Sequence, residues 1–183
     1  MPSDDFMERA DDEREMTAIA DDIDDVEDHR DLDDHRADEE EADAVTFACL
    51  GLPEEILAAV TDMGFRVPTP IQAAAIPPLL ELRDVVGIAQ TGTGKTAAFG
   101  LPLLAIVDAD ERDVQALVLA PTRELAMQSA QAIEDFAART ARLDVVPVYG
   151  GSPYGPQIGA LKRGAQVVVG TPGRVIDLIE KGA

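Results

Sequence analysis

The chain has 183 residues, enough for one ordinary domain and an additional segment, and its formal net charge is −21. Residues 1–45 hold 21 acidic and 4 basic residues, a net charge of −17, whereas the remaining 15 acidic and 11 basic residues leave only −4. No apolar run reaches the roughly 20 residues of a membrane span, and the acidic amino terminus argues against a signal peptide. We therefore expect a cytoplasmic protein without membrane contact.

Residues 1–44 form an acidic tail whose apolar content is too low to offset its ordering entropy, so it is expected to be largely disordered. Within it Met16, Ile19, Ile23 and Val26 recur at helical spacing. This stripe predicts either a transient helix in a solvated segment or an acidic amphipathic helix that forms against a basic protein partner.

Order is expected to begin near Val45. The single cysteine, Cys49, excludes an intramolecular disulfide, and its apolar neighbours predict a buried thiol. Pro53 suits the first turn of a helix whose apolar stripe continues to Met63 and which Gly64 ends.

A second helix is expected to start at Thr69 and Pro70, which suit the N-cap and the first helical position. Pro77 and Pro78 follow within the same segment. Because proline lacks a backbone N–H group, we expect these two residues to bend or split the helix.

From residue 84 onward, short apolar runs alternate with segments of helical periodicity. Strands are predicted at 85–89, 116–120, 145–149 and 166–170, and helices at 97–107, 123–139, 153–163 and 174–181. This alternation predicts an α/β domain with a mostly parallel sheet and helices on both faces. Ligands of such sheets bind beyond the carboxyl ends of the strands.

A glycine-rich loop follows the first of these strands and opens a helix; it reads Ala89-Gln90-Thr91-Gly92-Thr93-Gly94-Lys95-Thr96. The glycines let backbone N–H groups converge on phosphate oxygens at a helix N-terminus. Lys95 would reach the β- and γ-phosphates, and the Thr96 hydroxyl would ligate Mg²⁺. Alanine replaces the first glycine of the strict pattern, and the loop alone indicates only nucleotide binding.

Upstream of this loop, the side chains of Gln72 and Phe47 suit the recognition of adenine. The Gln72 amide can both donate to and accept from adenine, a pairing that discriminates between bases by about 1–3 kcal/mol. Phe47 can stack on the base. The alternative is purely structural: a capped helix start for Thr69 to Gln72 and a core aromatic for Phe47.

In order and spacing, these motifs resemble those of the DEAD-box RNA helicases. The matching segments are Phe47, Pro68-Thr69-Pro70-Ile71-Gln72, Ala89 to Thr96, Pro121-Thr122-Arg123-Glu124-Leu125-Ala126, Gly150-Gly151 and Thr171-Pro172-Gly173-Arg174. The resemblance implies an adenine-recognition region at 45–73 and a RecA-like ATP-binding domain at 74–183, truncated at its carboxyl terminus. It also implies ATP-dependent RNA helicase activity in the intact protein, with ATP and Mg²⁺.

The resemblance also implies a role for each motif. Phe47 and Gln72 would recognise adenine, the loop Ala89 to Thr96 would hold the phosphates, and Lys95 and Thr96 would be catalytic. Sequence-nonspecific contacts to the RNA backbone would come from Pro121, Thr122, Arg123, Glu124, Gly150, Gly151, Thr171, Pro172, Gly173 and Arg174. Hydroxyl groups and helix N-termini at these positions suit phosphate binding independently of any family. The alternative for Arg123 and Glu124 is an ion pair that pins a loop.

The chain departs from the family pattern in two ways. Leu82 stands where the family usually has glycine, and if the backbone there has a positive φ, leucine costs about 1 kcal/mol. The family's Asp-Glu-Ala-Asp motif and its second domain are absent from the 183 residues. Because phosphoryl transfer depends on the charges and positions of these parts, we expect nucleotide binding and weak RNA binding without ATP hydrolysis.

Other functions remain open at this point. One alternative is another phosphate-loop ATPase, such as a DNA translocase or a different helicase branch; Gln72 argues against it, and loss of the preference for ATP over GTP would favour it. The other alternative is a binding module, which would associate with a basic partner through the tail and show no turnover even with the missing part restored. A further hypothesis is that the tail occupies the RNA groove of the intact enzyme and inhibits it, since a strongly negative segment is attracted to a phosphate-binding surface. We expect a monomer.

Overall fold

The structure, a computed structural model, describes residues 17–19, 45–139 and 143–183. Of the acidic tail predicted at 1–44, only Thr17–Ile19 is described, as strand β1 parallel to β2 (Val85–Gly87). In the chain alone Ile19 therefore lies in a strand and not in the predicted transient helix, whereas the helix expected against a basic partner stays a prediction. The other three positions of the stripe, 16, 23 and 26, lie outside the described residues.

The described elements follow the predicted order, and each predicted strand and helix from residue 84 onward is present within two residues of its expected bounds. A short 3-10 helix at Phe47–Leu50 comes first. The remaining elements are α1 (Glu54–Asp62), α2 (Pro70–Leu80), β2, α3 (Lys95–Ile106), β3 (Ala116–Leu119), α4 (Arg123–Ala137), β4 (Val145–Val148), α5 (Tyr154–Lys162), β5 (Val167–Gly170) and α6 (Pro172–Glu180).

Strand β5 lies between β3 and β4 in a parallel three-stranded sheet. On one face, Val167 and Val169 pack in the same apolar cluster as residues of α3 and α4. On the other face, Val168 packs with residues of α5 and α6. A strand covered on both faces is continuously apolar, which explains the run of valines. The predicted parallel sheet with helices on both faces is confirmed.

Strand β2 lies apart from this sheet. Among the described residues it pairs only with β1, and the outer edge of β3 is unpaired. Leu117 and Leu119 on β3 are 50% and 56% exposed. They line a cleft of about 700 Å³ together with Phe99 and Leu103 of α3. The loop that follows β2 is therefore connected to the three-stranded sheet through packed helices rather than through strand pairing.

Helix α2 is not split at its prolines, contrary to prediction. It continues through Pro77 and Pro78 to Leu80. Each proline removes one helical hydrogen bond, but only the last turn remains to be formed. The Pro77 carbonyl accepts from Glu81 N at 3.2 Å, and the Pro78 carbonyl accepts from Arg83 N at 3.0 Å. The carbonyls of both prolines therefore have hydrogen-bond partners.

Cys49 is exposed, so the predicted buried thiol is wrong. In the 3-10 helix, Phe47 and Leu50 occupy the inward positions and are 3% and 4% exposed. The Cys49 Sγ instead lies 3.5 Å from the Thr46 hydroxyl. This hydrogen bond lowers the pKa of the Cys49 thiol below its ordinary value.

No helix in the described part of the chain combines the length and apolarity needed to cross a bilayer.

Leu82 adopts the positive φ that its position suggested. Its φ is 60°, and 74% of its surface is exposed. Leu82 is the only described residue other than glycine with a positive φ. The strain of this backbone conformation is about 1–2 kcal/mol for an L-residue. Because the side chain is mostly exposed, its packing contributes little that could offset this strain.

Leu82→Gly is expected to raise the free energy of unfolding by up to about 1 kcal/mol, because relief of strain exceeds the added entropy of the unfolded chain. Urea denaturation measures the change. The matched control is Leu125→Gly, at an exposed leucine within helix α4, which should lower stability by about 1 kcal/mol. Equal losses in both variants would contradict the assignment of strain to Leu82.

Candidate functional site

The phosphate loop joins β2 to α3 and places Lys95 and Thr96 in the first turn of that helix. Gly92 and Gly94 both have a φ of 84°, a left-handed conformation that suits glycine. The Lys95 ammonium group donates to the carbonyl of Ala89 and, at 2.8 Å, to that of Gln90. The ammonium group and the helix N-terminus are both positive, so the loop favours an anion.

Gln72 ties the start of helix α2 to this loop. The residue is 1% exposed, and its Nε2 donates to the Gly94 carbonyl at 3.2 Å. Its Oε1 accepts from Thr69 N at 2.9 Å, which is the cap that the structural alternative required. The Thr69 hydroxyl donates to the Thr93 carbonyl at 2.8 Å. Adenine recognition by Gln72 would therefore use the one N–H and one lone pair that these contacts leave.

Sequence reasoning predicted Thr69 as an N-cap but not as a partner of the phosphate loop. The hydroxyl in an N-cap pattern was the available signal, but the pattern does not predict which distant carbonyl comes within reach.

Phe47 lies in the hydrophobic core. Only 3% of its surface is exposed, and its ring centroid lies 6.2 Å from that of Phe65, edge to face. Phe65 in turn meets Phe136 of α4 at 6.3 Å. The structure thus places Phe47 as the core aromatic of the alternative interpretation and does not bring its ring to an exposed surface.

The predicted RNA-binding residues lie together at the carboxyl-terminal end of the three-stranded sheet, because β3, β4 and β5 are parallel and the loops that follow them all leave from that end. Thr171 N donates to the Val148 carbonyl at 3.0 Å. A Cβ added at Gly170 would lie 2.4 Å from a Val148 methyl carbon, so β5 can leave the sheet this close to β4 only with glycine there. All of the predicted residues except Thr171 and Arg174 are exposed, and Thr171 is partly buried.

Arg123 links the loop after β3 to the end of β4. Its guanidinium carbon lies 4.9 Å from the centre of the Tyr149 ring, a distance at which cation–π attraction operates. Among the described residues it makes no ion pair with Glu124, so the ion-pair alternative is not seen. The Thr122 hydroxyl caps α4 by accepting from Leu125 N at 3.2 Å, which leaves its own proton available to a ligand.

Arg174, predicted to line the RNA groove, is only 6% exposed. It donates to the Ser152 carbonyl from both terminal nitrogens at 3.0 Å and to Gln157 Oε1 at 2.9 Å. Its guanidinium carbon lies 4.1 Å from the centre of the Tyr154 ring. Sequence reasoning missed Gln157 and Tyr154, because a glutamine and a tyrosine within a weakly patterned helix give no signal of a distant partner.

The described residues contain no cluster of three or more histidine, cysteine, aspartate or glutamate side chains suited to a metal ion. Thr96, the metal ligand predicted from the sequence, lies in the first turn of α3. Magnesium bound together with phosphates retains several waters and takes few protein ligands. A single hydroxyl in the first turn of α3 fits that mode of binding.

Comparison with known proteins is consistent with this geometry. The family described as DEAD/DEAH box helicase matches residues 69–183. A protein of Haemophilus influenzae named ATP-dependent RNA helicase DeaD is 58% identical over 76% of this chain and 23% of its own length. Proteins of the same name from Mycobacterium tuberculosis and Escherichia coli are 55% identical over 76% and 75% of the chain, and 25% and 22% of their own lengths.

Solved structures show the same fold. A DEAD box protein from Methanococcus jannaschii has a TM-score of 0.70 and 43% identity, covering 75% of this chain and 37% of that one. The Saccharomyces cerevisiae protein Dbp5, as a variant bound to RNA and ADP BeF3, has a TM-score of 0.67 and 38% identity, covering 75% and 34%. The chain belongs to the DEAD/DEAH box helicase family and has its RecA-like fold. It spans about a quarter of the length of the curated relatives it matches.

Gly94→Ala is expected to lower the free energy of unfolding by about 1–3 kcal/mol more than Gly92→Ala, the usual cost of overpacking. Both glycines share the same φ, but a Cβ at Gly94 would lie 2.3 Å from Gln72 Nε2, whereas one at Gly92 meets nothing within 4 Å. Thermal and urea unfolding of the two variants give the difference. Equal destabilisation would show that the Gln72 side chain moves away from the added Cβ at no cost in stability.

Proposed function

We propose that the chain supplies the ATP-binding site and part of the RNA-binding surface of an ATP-dependent RNA helicase. The observation that carries the proposal is the phosphate loop, with its left-handed glycines and with Lys95 at the N-terminus of α3, held against the buried amide of Gln72. The names of the similar proteins from three bacteria support the helicase activity. The protein is proposed to act as a cytoplasmic monomer.

Lys95 and Thr96 have distinct roles in the proposed nucleotide site. Two of the three ammonium protons of Lys95 are engaged by loop carbonyls, so a phosphate oxygen would take the third or displace a carbonyl. The Thr96 hydroxyl would ligate Mg²⁺, which neutralises phosphate charge when it is bound. The backbone from Gln90 to Gly94 would donate N–H groups to the phosphates.

Adenine preference would come from the remaining donor and acceptor of Gln72 and would require the base to reach a side chain that is 1% exposed. Base entry would therefore move the start of α2. Because the same amide donates to the Gly94 carbonyl, such a movement would also displace the phosphate loop.

RNA would lie along the loops after β3, β4 and β5. Exposed hydroxyl, guanidinium and glycine N–H groups at Thr122, Arg123, Gly150 and Gly151 suit phosphate oxygens. Contacts to the backbone carry no sequence code, which suits an enzyme that acts on many RNAs. The RNA named for the yeast Dbp5 structure supports this class of ligand.

Nucleotide selectivity tests the first part of the proposal. The chain is titrated with fluorescent ATP and GTP analogues in the presence of Mg²⁺. Lys95→Ala should abolish measurable binding. Gln72→Glu keeps an acceptor for Thr69 N but removes the donors, and should reduce the preference for ATP about tenfold.

The matched control for Gln72→Glu is Gln131→Glu, on the exposed surface of α4, which should bind as wild type does. An unchanged preference in Gln72→Glu would refute adenine recognition by this residue, and equal binding of ATP and GTP by the wild type would favour a different phosphate-loop ATPase. Phosphate release by the 183-residue chain is expected to stay at background, because the Asp-Glu-Ala-Asp motif is absent from it.

A second experiment tests whether the acidic tail competes with RNA. Deletion of residues 1–44 removes almost all of the segment with a net charge of −17 and should increase affinity for a single-stranded RNA at low salt. The gain should shrink as salt screens the charges. Unchanged affinity at low salt would exclude this inhibitory role, and tail-dependent capture of a basic polypeptide would favour partner docking instead.

A further inference from the structure

Gln157 of helix α5 is a buried polar residue, 6% exposed, that no sequence motif identified. Its Nε2 donates to the Tyr149 carbonyl at 3.3 Å, and its Oε1 accepts from Arg174 at 2.9 Å. Tyr149 directly precedes the Gly150-Gly151 pair, and Arg174 ends the Thr171–Arg174 segment. One amide thus joins the loop after β4 to the loop after β5.

Arg174 holds the same loop from its other side. It donates twice to the carbonyl of Ser152, the residue that follows Gly151. The exposed glycine pair therefore lies between two anchored carbonyls, Tyr149 on one side and Ser152 on the other. Since Gly151 has a φ of 81° and no side chain of its own to pack, these two anchors supply contacts that hold the glycine pair in place.

The guanidinium of Arg174 has no anionic partner among the described residues. Its acceptors are a carbonyl and an amide, both neutral, and its Nε has no hydrogen-bond partner there. The nearby Asp177 carboxylate instead accepts from the Tyr154 hydroxyl at 3.0 Å, which raises the pKa of Tyr154 above its ordinary value. Arginine stays charged when buried, and a buried charge is screened less than an exposed one.

We propose that Gln157 is a positioning residue for RNA phosphate binding. Its neutral amide orients the glycine loop and the Arg174 guanidinium without neutralising the positive charge. A phosphate at Gly150 and Gly151 then meets backbone N–H groups in a restrained loop above an uncompensated cation. The inference rests on the proposed RNA-binding function and adds a residue that acts through others.

The test measures RNA affinity and hydrogen exchange of the full 183-residue chain. The probe is a short fluorescein-labelled uridine homopolymer, titrated over a range of salt concentrations. Gln157→Leu removes both hydrogen bonds; it should weaken binding about fivefold and speed the amide exchange of residues 149–152 and 171–174 together.

Gln157→Glu keeps the side-chain size and the acceptor for Arg174, but it supplies a carboxylate and removes the donor to the Tyr149 carbonyl. The ion pair formed with Arg174 should offset the lost hydrogen bond, so thermal stability should stay close to that of the wild type, whereas affinity should fall and the slope of log affinity against log salt should decrease by about one. A purely structural role would not move this slope while stability stays constant. The controls Gln131→Leu and Gln131→Glu make the same changes on the exposed surface of α4 and should bind as wild type does.

If Gln157→Leu binds RNA with wild-type affinity and its amides exchange at wild-type rates, the positioning role of Gln157 is overturned. Wild-type affinity and salt dependence in Gln157→Glu would overturn the role of the uncompensated charge, and this variant also serves if Gln157→Leu does not fold. Failure of the proposed function is distinguishable, because the wild-type chain itself would then not bind the RNA, whereas failure of this inference alone leaves wild-type binding intact.

Discussion

The arrangement of the loops proposed to bind RNA depends on the burial of β5 between two parallel neighbours. Val167 and Val169 pack on one face of the sheet and Val168 packs on the other. A shift of the strand by one residue would turn each of these side chains to the opposite face, so the packing fixes the register. Gly170 then brings β5 close to β4 where both strands end. Three loops distant in sequence become neighbours, and polar contacts between them follow from this packing.

The two candidate sites are held by different means. Around the phosphate loop, side chains of α2 and α3 bond to loop carbonyls, as Gln72 does to Gly94. Around the loops proposed to bind RNA, the side chains that stack on rings or bond to carbonyls are Arg123, Gln157 and Arg174. In both sites neutral acceptors face the basic or amide groups, so positive charge is retained where phosphate is proposed to bind.

The sequence predicted the order of strands and helices because apolar runs and helical periodicity are local signals, clear at β5 and α4. It also located the phosphate loop, whose glycines and Lys95 lie in adjacent positions. It did not predict the burial of Arg174, because that depends on Ser152 and Gln157, which become neighbours only after folding. It overestimated the effect of Pro77 and Pro78, since the cost of a proline depends on how much helix remains beyond it.

Among the described residues no strand pairs with the outer edge of β3, and this has a consequence for the behaviour of the chain in concentrated solution. An open edge bordered by apolar side chains is a template for a strand of another molecule and promotes aggregation. The charge of −21 opposes this by mutual repulsion between chains. Because salt screens that repulsion, association of chains through this edge is expected to increase with ionic strength.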